Sequence, residues 1–69
     1  MTWHDINDIA EALMAAHPEI DPLTVRFTQL RDWIALLPDW SDDIHLSNEA
    51  KLEAIQMEWY ELYKDEHGG

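Results

Sequence analysis

A chain of 69 residues with no cysteine must hold itself together by packing alone. Disulfide staples, thiolate metal sites and cysteine nucleophiles are all excluded at once. So is any iron–sulphur cluster ligated by the chain's own thiolates. A chain this short makes one domain with a modest core. Four tryptophans supply much of the apolar area that such a core needs.

Charge narrows the function classes next. Fifteen Asp and Glu oppose four Lys and Arg, a formal net charge of -11. Such a surface repels phosphate backbones and anionic lipid, so neither nucleic acid nor membrane is an expected partner. It attracts basic protein surfaces and cations. Disorder is the rival reading of so much charge. It is rejected because 46% of the residues are hydrophobic and fall into periodic stripes. No apolar run approaches the roughly 20 residues needed to cross a bilayer. Met1 to Asp8 lacks a basic region followed by an apolar one, so no secretory signal is expected and the default location is cytoplasmic.

Three stripes at helical spacing organise the chain. Asp5, with Asp8 three residues on, is a candidate N-cap and capping box for a first helix. That helix carries Ile6, Ile9, Ala10, Leu13 and Ala16 and stops at His17-Pro18. Asp21-Pro22 marks a turn. Val25-Arg26-Phe27 reads as a very short strand or extended passage. Thr28 is then the candidate cap of a second helix through Leu30, Trp33, Ile34 and Leu37, ended by Pro38. After a loop to Leu46, Ser47 is the candidate cap of a third helix with Leu52, Ile55, Trp59 and Leu62, running to about Lys64. The fold class is mostly α: a three-helix domain over residues 1–66 with at most one very short extended segment. Residues 67–69 are expected to fray.

The acidic residues carry the candidate chemistry. Asp5, Asp8 and Glu11 step along the first helix at three-residue intervals. Glu58, Glu61 and Asp65 do the same on the third, and Asp39, Asp42 and Asp43 gather in the loop between helices two and three. Close carboxylates raise each other's cost of ionisation unless a cation or a basic surface neutralises them. All nine are therefore candidates for partner binding, and Asp5, Asp8 and Glu11 for weak, exposed binding of iron. The plainer alternative is a solvated face plus helix caps. Carboxylate oxygen suits hard cations, but these spacings match no high-affinity site. No His pairs with another at helical spacing, which speaks against zinc. Arg26 and Arg31 are expected to balance nearby acids; contact with an acidic partner is the alternative. Trp33 and Trp59 are expected in the core, Trp3 and Trp40 at its edges, and Met57 and Tyr60 off the stripe. Nucleophile elbow and glycine-rich phosphate loop are both missing, so an enzyme is the least expected class.

The order of short motifs resembles the IscX family of the bacterial iron–sulphur cluster assembly system over nearly the whole chain. The matching pieces are Trp3-x-Asp5 and Glu11-Ala12-Leu13, then Asp21-Pro22-x-Thr24-Val25-Arg26-Phe27-Thr28, the most specific. Leu30-x-x-Trp33-Ile34, Asp42-Asp43 and Ser47-Asn48-Glu49 follow, with Leu52-Glu53-Ala54-Ile55-Gln56 and Trp59 closing the pattern. Ile44 departs from the family's proline after the paired aspartates, and the tail beyond Trp59 differs. The resemblance implies a modified winged-helix arrangement. It implies a monomeric regulator that binds the cysteine desulfurase, contacts ferredoxin and takes up Fe2+ or Fe3+ weakly. Two other readings stay open: an iron-delivering carrier, and an acidic nucleic-acid mimic that occupies a DNA-binding protein.

Overall fold

The computed structural model describes residues 1–68. Three α-helices, α1 (Ile6–Ala16), α2 (Phe27–Ala35) and α3 (Glu49–Glu66), are joined through two 3-10 turns, η1 (Pro22–Thr24) and η2 (Ile44–Leu46). The described residues contain no strand, so the mostly-α three-helix expectation holds. The expected extended passage is reduced to Val25 and Arg26, and Phe27 already opens α2. At about 1.5 Å per residue α3 is roughly 27 Å long, and it sets the 34 Å long axis of the molecule.

The stripes find each other as their spacing requires. Ile9, Ala10 and Leu13 of α1, Leu30 and Ile34 of α2, and Leu52, Ile55 and Trp59 of α3 are buried. α1 packs most extensively on α3. Trp3, expected at the edge of the core, is only 2% exposed and belongs to it. Trp33, expected inside, is half-buried. It stacks on His17 at 3.9 Å between ring centroids and meets Trp59 edge-on at 6.2 Å. Ala16, at the end of the first stripe, is exposed. The indole N–H groups of Trp40 and Trp59 are buried without a hydrogen-bond partner, a cost of roughly 1–3 kcal/mol each.

The helix starts depart from the sequence reading in an instructive way. Asp5 is the N-cap residue of α1, but its side chain makes no cap bond and the capping box with Asp8 does not form. The N-cap of α2 is Arg26 rather than Thr28, because the helix begins earlier. The N-cap of α3 is Asn48, whose Oδ1 accepts from Lys51 N at 2.8 Å. Ser47, the expected cap, instead ends η2. Ile44 opens η2, a first-turn position that also tolerates proline.

Two long-range ties fix the connectors. Gln56 on α3 donates from Nε2 to the carbonyls of Pro22 at 2.9 Å and Val25 at 3.3 Å, clamping η1 to the helix. Asp21 shapes that turn by accepting from Leu23 N at 3.0 Å. At the other end, α3 runs to Glu66, slightly beyond the expected Lys64. The His67 backbone N–H bonds Tyr63 O at 3.0 Å, and its ring nitrogen lies 3.0 Å from Pro18 O. Gly68 follows at φ 70, the left-handed position that commonly terminates a helix. The remaining tail residue, Gly69, lies outside the described residues.

Candidate functional site

The acidic residues divide into two sets once their partners are known. The first set surrounds the N-terminal turn. Asp5 accepts from Thr2 N at 2.9 Å and from Thr2 Oγ1 at 3.3 Å. The Asp5 carboxylate thus closes a turn ahead of α1 rather than joining Asp8 and Glu11 along the helix. Asp42 accepts from Asp43 N at 2.8 Å and from Trp3 N at 3.2 Å. Those two donors, Asp43 N first, hold the Asp42 carboxyl below the usual carboxylate range; the small desolvation opposes them. Asp43 accepts from His45 N at 2.9 Å, and its carbonyl takes the Trp3 indole N–H at 2.8 Å. Ser41 N donates to Met1 O at 2.9 Å, completing the latch between the loop and the first residues. Asp5, Asp42 and Asp43 are therefore engaged in the fold.

The second set lies on the helices. Asp8 is exposed, and its carboxylate makes no hydrogen bond or ion pair among the described residues. Glu11 is exposed and meets only Asn7 Nδ2, at 3.3 Å. Glu61 pairs with Lys64 at 3.2 Å, across an exposed turn of α3. Lys64 also sits 5.1 Å from the centre of the Tyr60 ring. Glu58 is half-buried, while Asp65 and, in the loop, the side chain of Asp39 are exposed. The helix packing brings Glu11 of α1 and Asp65 of α3 to one concave surface, together with Glu66, which the sequence reading passed over.

One expectation changes here. Arg26 and Arg31 were expected to balance nearby acids. Lys64–Glu61 is the sole ion pair among the described residues, so both arginines lack a carboxylate within pairing distance. Charge balance depends on which side chains the packing brings close, and neither Arg26, the N-cap residue of α2, nor Arg31 within it is brought within pairing distance of an acid. Asp5, Asp8 and Glu11 were expected to share one face as iron ligands. Among the described residues no three His, Asp or Glu side chains gather as a metal-holding group. Asp5 folds back on Thr2, while Asp8 and Glu11 stay exposed on α1.

Met57 and Tyr60 fall off the core stripe as expected, Met57 at 45% exposure and Tyr60 half-buried. The surface that the sequence does not single out is partly apolar. Met14 and Leu62 are half-buried, rest on the core and line the same concave surface as Glu11 and Asp65. The available signal was the second residue of the Leu13-Met14 pair, which widens the α1 stripe toward α3.

No helix of the described residues is long and apolar enough to cross a membrane. Against known proteins, a model of a family described as iron–sulphur cluster assembly matches residues 1–64. An uncharacterized protein of Pseudomonas aeruginosa is 46% identical over 61 residues, covering 88% of this chain and 92% of that protein.

Proposed function

The chain belongs to the IscX family of iron–sulphur cluster assembly proteins, and from that premise we propose that it is an acidic adaptor that docks on the cysteine desulfurase and adjusts cluster assembly. The observation that carries this reading is uncompensated charge. Fifteen acids meet four Lys and Arg, and the described residues form a single ion pair. The field of Asp8, Glu11, Glu58 and Asp65 is therefore directed outward rather than spent inside the molecule. A basic patch on a cytoplasmic partner is the surface that such a field steers toward. Asp39 and Glu61 add to it from the loop and from α3. The role is that of a binding protein and not of a catalyst.

Iron enters this reading as cargo, held weakly by the exposed carboxylates of Asp8 and Glu11 with Asp5 at their edge. Because no ligand group of three is assembled, the adaptor role is favoured over that of a saturable iron carrier. Family membership likewise favours it over the nucleic-acid mimic. Arg26 and Arg31, free of internal ion pairs, suit an acidic second partner such as ferredoxin.

Titration calorimetry with purified cysteine desulfurase at several salt concentrations tests the proposal. Binding is expected at low salt, with an affinity that falls steeply as the Debye length shrinks from about 30 Å at 0.01 M to about 10 Å at 0.1 M. No binding at low salt, or an affinity unchanged by salt, would overturn it.

A further inference from the structure

Where the C-terminal half of α1 lies beside the C-terminal half of α3, an open groove of about 410 Å³ runs along the surface. Its apolar part is formed by Met14, Ala15, Pro18 and Leu62. Its acidic part is Glu11, Asp65 and Glu66, and no Lys or Arg lines it. Met14 and Leu62 pack against the core, so their inner atoms are held in place by it. One end is pinned by the His67 ring, which contacts Pro18 O at 3.0 Å and packs on Tyr63 at 4.2 Å. The concavity is a product of the helix packing, ready before a partner arrives, and a ready surface spares part of the ordering cost of association.

Charge identifies the occupant. A purely apolar segment would strip water from three carboxylates and give nothing back. An acidic or phosphate-bearing ligand is repelled, and a bare cation makes no use of the apolar wall. A segment with an apolar anchor flanked by Lys or Arg satisfies both halves of the lining. We propose that this groove is the docking site for a basic amphipathic helix of a partner protein. Its apolar side chain rests on Met14 and Leu62, and its Lys or Arg residues meet Glu11, Asp65 and Glu66. Helix-in-groove recognition of this kind reads anchors three and four residues apart. The inference rests on the acidic-adaptor reading and adds to it a location and a component of binding that salt does not remove.

The test uses two synthetic helical peptides of equal positive charge, one built from Leu and Lys and one with Ser in place of Leu, titrated into the 15N-labelled chain. The Leu peptide is expected to shift Met14, Ala15, Leu62 and Asp65 most. It is expected to bind about tenfold tighter than the Ser peptide at high salt, the scale of a modest interface anchor. Ala15 is an exposed position in the groove, and Ala15→Trp fills it without touching the core. This variant is expected to weaken Leu-peptide binding about tenfold, whereas the same change at exposed Ala54, outside the groove, leaves it unaltered. Glu66→Lys, at an exposed rim position, is a second variant with the same expected direction should Ala15→Trp perturb the fold. Shifts spread evenly over Asp39, Glu53 and the other acidic faces, or equal binding of the two peptides, would overturn the inference. Desulfurase titrated in parallel separates the two readings. Peptide capture in the groove without desulfurase binding removes the desulfurase and keeps the groove; desulfurase binding without groove shifts removes the groove alone.

Discussion

Asp42 and Asp65 are the same residue in the same acidic chain, and they do opposite work. Asp42 sits in the latch between the loop and the N-terminal turn, with both oxygens accepting backbone N–H groups. Asp65 sits on the rim of the α1–α3 groove with no cation among the lining residues. In the latch, carboxylates satisfy donors that the turns leave unpaired, and their charge is absorbed locally. On the groove no Lys or Arg among the lining residues offsets the charge. Acidic composition therefore predicts neither role; the availability of backbone donors decides it.

The latch depends most heavily on Trp3. Its ring is 2% exposed, its N–H donates to Asp43 O, and it meets Trp40 edge-on at 4.7 Å between centroids. Trp3→Ala removes all three contacts and is expected to cost about 3–5 kcal/mol. In a domain this small that takes most of the stability. Urea denaturation followed by circular dichroism measures it, and a loss under about 1 kcal/mol would show the latch to be decoration.

Asp42→Asn is a gentler break, because an amide keeps one acceptor and loses the charge. The urea midpoint is expected to fall at neutral pH. Its pH dependence follows from the depressed folded pKa of Asp42. A group ionised more readily in the folded state stabilises that state above its unfolded pKa. The contribution is lost as pH drops through the ordinary carboxylate range and then through the lower folded value. The variant and the parent should therefore converge in acid. A gap that stays constant from neutral pH down to below the carboxylate range would contradict the assigned role.

Asp8→Asn probes the exposed acids of the helices and is expected to change stability by less than about 0.5 kcal/mol, since the Asp8 carboxylate is exposed and pairs with no other side chain among the described residues. Smallest of all is Lys64→Ala. The Lys64–Glu61 pair is exposed and spans one helical turn, so its removal should cost about 0.3 kcal/mol and vanish in salt. A larger loss would show that the α3 rim is structural after all.

Much of the fold was legible because helix formation is local. The spacing of Ile9, Ala10 and Leu13, of Leu30 and Ile34, and of Leu52, Ile55 and Trp59 names the core directly, and those residues are buried. The caps were less legible because Ser47 and Asn48 are both capping residues at adjacent positions and the Asp5 carboxylate is taken by the donors of Thr2, so neighbouring turns decide the outcome. η2 takes Ser47 and leaves Asn48 to α3. The division of the acids was not legible at all. It depends on Trp3 meeting Asp42 and Asp43 across 39 and 40 positions, and on His67 reaching Pro18 across 49. No periodicity encodes such meetings. The same holds for the groove, whose walls come from two helices far apart in sequence.

Calorimetric titration of the cysteine desulfurase with Glu11→Gln/Asp65→Asn, next to the unaltered chain at one ionic strength, probes the division between bound and unspent carboxylates most directly. The double variant should match the parent in its urea midpoint and bind about tenfold more weakly, as a loss of roughly 1.4 kcal/mol implies. Undiminished affinity in a folded double variant would mean that the groove acids do not meet the partner.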